Sequence, residues 1–289
     1  MLDILVPVDN SAQAEKAFKF ALKEFPEHHL SILHVIDSTE ISKVDGVEEG
    51  VAYPNSETYD RLVEAANEIL DEYIDHAEGE GVEADAVHNF GDPARRIVEY
   101  TAENDIDHVV IGSHGRTGFS RVLLGSVAEK VVRRAPVPVT VVRGDVKTGR
   151  KNLLVPIDNS EQAKNALDYA LERYPDSSIT LLNVFSRGPP ESYLERRGKD
   201  YDNLRARRRE WLGRLAAERD QGGEIETEVV IGDPARKINE YVVDQDIEHI
   251  VMGSHGRDRF ARILLGSVAE MVVRRAPVPV TVVREQRSD

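Results

Sequence analysis

The chain has 289 residues, 40% of them hydrophobic, which is enough for two ordinary domains with buried cores; it has no cysteine, which excludes disulfides and thiol-ligated metals. Its net charge of −15 is uneven, with 28 acidic against 14 basic residues in 1–147 and 24 against 23 in 148–289. So acidic a field argues against general nucleic-acid binding, and the scarcity of Lys (10, against 27 Arg) beside abundant carboxylates reads as halophilic adaptation.

The opening stretch, MLDILVPVDN, has neither the basic region nor the long apolar stretch of a secretory signal. No later run approaches the roughly 18–20 apolar residues that cross a bilayer, so a cytoplasmic location and no membrane partner are expected. DILVPV (3–8) and LSILHVI (30–36) are short runs rich in branched residues, the pattern of strands buried on both faces. Between them Ala14, Ala17, Phe18, Ala21, Leu22 and Phe25 recur at helical spacing behind Ser11, a candidate N-cap. A loop, EISKVDGVEEGVAYPNSE, precedes a helix through Leu62, Ala66, Ile69, Leu70 and Tyr73 and a strand near 82–90. In GDPARRIVEY (91–100), Asp92 caps a helix whose first position is Pro93. DHVVIG (107–112) reads as a fourth strand, 127–134 as a fourth helix and VPVTVVR (137–143) as a fifth strand. Five strands alternating with four helices predict an α/β fold, a doubly wound five-stranded parallel sheet of Rossmann-like type with right-handed crossovers.

The pattern then repeats. Residues 3–37 match 152–186 with 14 identities in 35 positions, and 91–143 match 232–284 with 39 in 53. The chain is a tandem duplication, with domains expected at 1–145 and 150–287 joined by the polar GDVKTGR (144–150). In the second copy RARRREW (205–211) reads either as an RNA contact or as a solvated helix face; the interleaved Glu195, Asp200, Asp202, Glu210 and Glu218 favour the face.

In such a sheet ligands bind beyond the carboxyl ends of the strands, where the winding reverses. GSHGRTGFSRVLLGSVAE (112–129) and GSHGRDRFARILLGSVAE (253–270) sit there, each with the spacing G-x2-G-x9-G-S: Gly112, Gly115, Gly125 and Ser126, then Gly253, Gly256, Gly266 and Ser267. Glycine lets a ligand approach the backbone, and a helix start offers free N–H groups with about half a positive charge. Ser126 and Ser267 add hydroxyls; Arg116 and Arg257 add full charges. Together these suit a phosphate, whereas a single glycine of the set would only make a turn. Neither G-x4-G-K-[ST], nor a strand-associated G-x-G-x-x-G, nor G-x-S-x-G is present.

These stretches, with ILVPVD and LLVPID at the starts of the copies and APVPVTVVR at both ends, resemble the universal stress protein (UspA) family in its nucleotide-binding branch. The resemblance covers nearly all of both copies. It implies a site for ATP or another adenine nucleotide in which Pro7, Val8 and Asp9, with Pro156, Ile157 and Asp158, hold the nucleotide, and the backbone of Val35 and Val184 meets adenine. It brings His114 and His255 into ligand contact, and the residues beside the glycines, Ile111, Val127, Met252 and Val268, complete the set. Asp9 and Asp158 read either as helix caps or as carboxylates that bond ribose or share a Mg2+ ion with the phosphates. The last strand is commonly the dimer contact in the family, so 139–143 and 280–284 are expected to pair as an intramolecular pseudo-dimer, with a further homodimer open.

No residue stands out as a general base. The leading reading is a nucleotide-responsive stress protein acting on an unidentified protein client. A slow ATPase or nucleotidyl transferase on the same fold is the alternative, weakened by the absence of H-x-G-H and S-G-G-x-x-S. Thr117 and Gly118 of the first loop correspond to Asp258 and Arg259 in the second, so the two sites are expected to be unequal.

The charge generates the first testable outcome. Self-repulsion in the acidic half is strongest when the Debye length is about 30 Å at 0.01 M salt and weakest when it is about 3 Å at 1 M. The melting temperature should rise from dilute buffer to molar KCl; a flat profile would refute salt adaptation.

Overall fold

The computed structural model describes residues 1–37, 56–115, 124–144, 151–185, 198–219, 224–255 and 265–284. The chain divides into two compact units, Met1–Val146 and Lys147–Asp289. Among the described residues each unit has five strands and four helices in strict alternation, and no helix is long and apolar enough to cross a membrane.

In the first unit β1 (Asp3–Val8), β2 (His29–Asp37), β3 (Ala84–Gly91), β4 (His108–Gly112) and β5 (Val139–Val142) form a parallel sheet in the order 3-2-1-4-5. The helices α1 (Ala12–Glu24), α2 (Ser56–Gly79), α3 (Pro93–Glu103) and α4 (Ser126–Arg134) connect them. The first two crossovers carry the chain outward from β1 to β3; the third returns it past β1 to β4, so the winding reverses between β1 and β4. Residues on α1 and α2, including Phe18, Ala21, Leu70 and Ala77, pack on Ile4, Val6, Leu30, Ile32, Val110 and Val142. The other pair of helices, α3 and α4, pack on each other. Central strands covered on both sides are largely apolar, and β1 and β4 are: from Ile4 to Val8 and from His108 to Gly112 every residue is buried, with His108 satisfied by Thr140 Oγ1 at 2.8 Å.

The second unit repeats this with β6 (Asn152–Pro156), β7 (Ser178–Phe185), β8 (Ile225–Ile231), β9 (His249–Gly253) and β10 (Val280–Val283), where β6 and β7 take the places of β1 and β2. Its helices are α5 (Glu161–Arg173), α6 (Gly198–Arg219), α7 (Pro234–Asp244) and α8 (Ser267–Arg275). Leu153, Val155, Leu167, Leu181, Leu212 and Val251 lie in its core.

Side chains cap the starts of four of the eight described helices. Ser11 Oγ accepts from Ala14 N–H at 3.1 Å and Ser160 Oγ from Ala163 N–H at 3.2 Å. Asp92 accepts from Arg95 N–H at 2.8 Å and Asp233 from Arg236 N–H at 2.9 Å, with Pro93 and Pro234 in the first turns. The basic stretch 205–211 lies on α6, tied to its own unit. Arg205 and Arg209 reach Glu228 at 3.3 and 3.4 Å, and Arg208 donates to Asn183 Oδ1 at 2.7 Å with its guanidinium over the Phe185 ring. That engagement fits a helix face and leaves fewer cations for RNA.

Asp92→Ala and Asp233→Ala should each lower stability by about 1 kcal/mol, read as a fall in the urea midpoint at unchanged m-value. An unchanged midpoint would show that water replaces the cap at no loss.

Candidate functional site

The carboxyl end of β1 is built to start α1 at once. Asp9 Oδ1 accepts from Ser11 N–H at 3.2 Å across Asn10, which sits at φ +59°, a left-handed position that Asn tolerates better than most side chains. Opposite, β4 ends at Gly112, where a β-carbon would lie 2.7 Å from the Gln13 carbonyl oxygen; no other residue fits without moving α1. The chain leaves β4 through Ser113, His114 and Gly115 and returns at Gly125, whose N–H donates to Ser113 O at 2.7 Å. A β-carbon on Gly125 would stand 2.9 Å from His114 Cα, and one on Gly115 would collide with Asp9 Oδ2. Three backbone segments thus meet at glycine distance. α4 then begins at Ser126 with no side-chain cap, unlike α1 and α3.

These segments enclose a cavity of about 300 Å3 with two chemically different poles. At one pole lie Asp9, Gly112, His114, Gly115, Gly125, Ser126 and Val127; at the other, Val35 and Asp37 of β2 face Pro93 and Ile97 of α3, with Pro7, Val8 and Ile111 between. The structure therefore gathers the described residues that the glycine spacing and the resemblance single out in this unit. Arg116 lies outside the described residues.

The cavity also holds residues that sequence reasoning missed: Ser11, Ala14, Leu33, His34, Asp37, Pro93, Ile97 and Ala128. His34 is buried with Nδ1 2.9 Å from Val8 O, and because a carbonyl only accepts, Nδ1 carries the proton. The second unit does the same with an amide: Asn183 Nδ2 donates to Ile157 O at 2.5 Å. A polar donor at the same position in both copies, His34 and Asn183, flanked on both sides by apolar residues, was the available signal.

Burial, then the nearby Arg143 cation, holds His114 below the usual imidazole range, with Asp9 pulling the other way. Behind α1, burial first and then Asp9, Glu15 and Glu72 push the Tyr73 phenol up to about 12.

The second unit repeats the backbone geometry. Asn159 has φ +69°; a β-carbon on Gly253 would lie 2.8 Å from Gln162 C, and one on Gly266 3.0 Å from His255 Cα. Gly266 N–H donates to Ser254 O at 2.8 Å, and α8 starts at Ser267 and Val268 without a side-chain cap. Pro156 ends β6, followed by Ile157 and Asp158, while Val184 lies in β7 and Met252 in β9. Asp158 Oδ1 accepts from both Ser160 N–H (3.1 Å) and Ser160 Oγ (2.6 Å), so one of its oxygens is committed to the turn. Gly256 and Arg257 lie outside the described residues, as do Thr117, Gly118, Asp258 and Arg259. Among the described residues no group of three or more metal-ligating side chains is present.

A family model described as the universal stress protein family matches residues 1–143 and again 149–284. The chain belongs to this family. A universal stress protein of Mycobacterium tuberculosis is 34% identical over 203 residues, 68% of this chain and 67% of that protein. Another, of Mycolicibacterium smegmatis, is 28% identical over 296 residues, 97% and 96% of the two chains. The crystal structure of a universal stress protein from Archaeoglobus fulgidus is 27% identical and superposes with a TM-score of 0.70 over 98% of each chain. Two universal stress protein units explain why the glycine spacing and its backbone geometry occur twice.

If the close approach of Gly112 to α1 is obligatory, Gly112→Ala should lower stability by about 1–3 kcal/mol by overpacking, and Gly253→Ala should do the same. Chemical denaturation checks it. Substitutions that left stability unchanged would mean that α1 shifts freely.

Proposed function

We propose that the crevice of the first unit binds an adenine nucleotide, and that occupancy acts as a signal by which this universal stress protein regulates or protects a client in the stress response. The observation that carries the reading is the pair of poles in one cavity. The glycine pole offers the uncapped start of α4, whose free N–H groups and dipole favour phosphate. The other pole offers the apolar walls of Val35, Pro93 and Ile97, suited to a base, with polar backbone at the strand ends.

A Mg2+ ion carried in by the nucleotide fits the same pole. Asp9 lines it with a carboxylate, and Mg2+ on a nucleotide needs only one or two protein carboxylates beside the phosphates and water. Asp9 would hold the ion there, and the ion would neutralise phosphate charge. Asp158 is the corresponding carboxylate, with one oxygen already engaged by Ser160.

The second site is proposed to bind more weakly. Asp258 stands where the first loop has Thr117, and a carboxylate near a polyphosphate is repelled by about 1 kcal/mol or more at 4 Å, depending on the local dielectric.

Calorimetry on Gly125→Val and Gly266→Val, with circular dichroism as a folding control, tests both statements. The first substitution should remove most ATP binding and the second little; the reverse pattern would overturn the ranking, and no binding to the unaltered protein would overturn the reading. Chromatography of the nucleotide retained after incubation with ATP and Mg2+ separates binding from turnover. Intact ATP is the expected species, and recovered ADP would make the protein an ATPase.

A further inference from the structure

Among the described residues of the first unit, Arg143 is a cation buried without a hydrogen-bond partner for two of its nitrogens. It follows directly on β5 and is only 8% exposed, and its Nε and Nη2 atoms are buried with no hydrogen-bond partner. Guanidinium nitrogens buried without an acceptor are unfavourable, and an anion that reached them would relieve the cost.

Its position says where. In the β4–β5 register Gly112 lies beside Val142, and Ser113 N–H donates to Val142 O at 3.3 Å, so Arg143 stands beside Ser113 at the carboxyl edge of the sheet. Val142 packs into the core on the α1 side with Val110. Successive residues of a strand face opposite sides, so Arg143 belongs to the other side, the one α4 covers. The buried Ser113 lies on that same side, two residues on from Ile111 of the cavity wall. The cation is close enough to act on His114, which touches the start of α4. The guanidinium therefore stands next to the cavity, behind its wall: Arg143 lies beside Ser113 and acts on His114, against which Gly125 opens the uncapped α4.

We infer that Arg143 receives the terminal phosphoryl group of the bound nucleotide and makes the first site select triphosphates over monophosphates. The inference rests on the nucleotide reading above and adds a ligand that the glycine signature does not contain. The α- and β-phosphates would lie against Gly112, Gly115, Gly125 and the start of α4, and the γ-phosphate would reach past them to the guanidinium, whose planar fork suits a phosphate better than an ammonium does. Without that phosphate Arg143 is a destabilising group, so ATP stabilises the unit by relieving it.

The test is Arg143→Met, which keeps the length and removes the charge, beside Arg143→Lys. In the unaltered protein ATP should bind more tightly than AMP. Arg143→Met should weaken ATP about ten- to hundredfold, the range of one charge-assisted hydrogen bond, and leave AMP within about twofold. Arg143→Lys should retain part of the ATP preference. Without ligand, Arg143→Met should melt no lower than the unaltered protein, and the His114 resonances should titrate at higher pH once the cation is gone. Equal losses for ATP and AMP, or a ligand-free protein that melts markedly lower, would make Arg143 structural and overturn the inference. An unaltered protein that binds AMP and ATP equally would overturn it while leaving the nucleotide reading intact. One that binds neither would overturn both.

Discussion

The space denied to one β-carbon organises this molecule. Because Gly112 carries none, the end of β4 can lie against the first turn of α1, with 2.7 Å between the missing atom and the Gln13 carbonyl oxygen. That contact brings β1, α1 and β4 together where the winding of the sheet reverses, and the crevice is what remains between them. The same relation holds at Gly253 and Gln162, with 2.8 Å. A methyl group at either place would separate the strand end from the helix and widen the phosphate pole before any ligand group was touched. Asn10 and Asn159 serve the same end from the other strand, turning the chain sharply enough for a helix to begin four residues after β1 and five after β6.

Around that contact the carboxyl edge of the sheet carries polar groups that a doubly covered sheet would otherwise exclude. His34 and Asn183 anchor the carbonyls of Val8 and Ile157 and so hold the ends of β1 and β6 against their neighbours. Ser113 and Ser254 bond to His114 and His255 at 3.1 and 3.0 Å, orienting the imidazoles. Buried polar groups of this kind are tolerable when satisfied, and they rigidify what they join. The two repeats differ most where they face water. Every acidic residue of α2 whose side chain is described is exposed, whereas α6, at the same place in the second unit, carries a run of arginines held by Glu228, Asn183 and Asp168. The sheet and its crevice tolerate one geometry; the outer helix tolerates either sign of charge.

The order of strands and helices was legible because each element has a plain physical signature. Continuous branched runs mark the covered strands, 3.6-residue spacing marks α1, and Asp-Pro marks the starts of α3 and α7. Boundaries were less so. Val82 reads as part of a strand but precedes β3: its side chain is buried in the core with Leu70 and Ala77, its N–H donates to Ala77 O and closes the end of α2, and β3 runs from Ala84 to Gly91. The glycine pole of the site was visible because its spacing is rigid. The other pole was not, because Ile97 and Leu33 look like any core residue, and which of them lines a cavity depends on the packing of α3 over β2. Arg143 was hidden for a different reason: it reads as the last residue of the fifth strand, whereas β5 ends at Val142 and only the packed structure reveals the burial of Arg143.

β5 and β10 are the same four residues, VTVV, within the identical segment APVPVTVVR, and their partners β4 and β9, HVVIG and HIVMG, differ only by Ile for Val and Met for Ile. Each final strand is therefore a chemically adequate partner for the other unit's β4 or β9. During synthesis the ambiguity does not arise, because β5 leaves the ribosome long before β10 and finds β4 waiting. A chain refolding from denaturant has no such order. Exchange of these strands is a characteristic misassembly of repeat proteins. The duplication that repeats the glycine geometry thus leaves two interchangeable final strands, which the order of synthesis keeps apart.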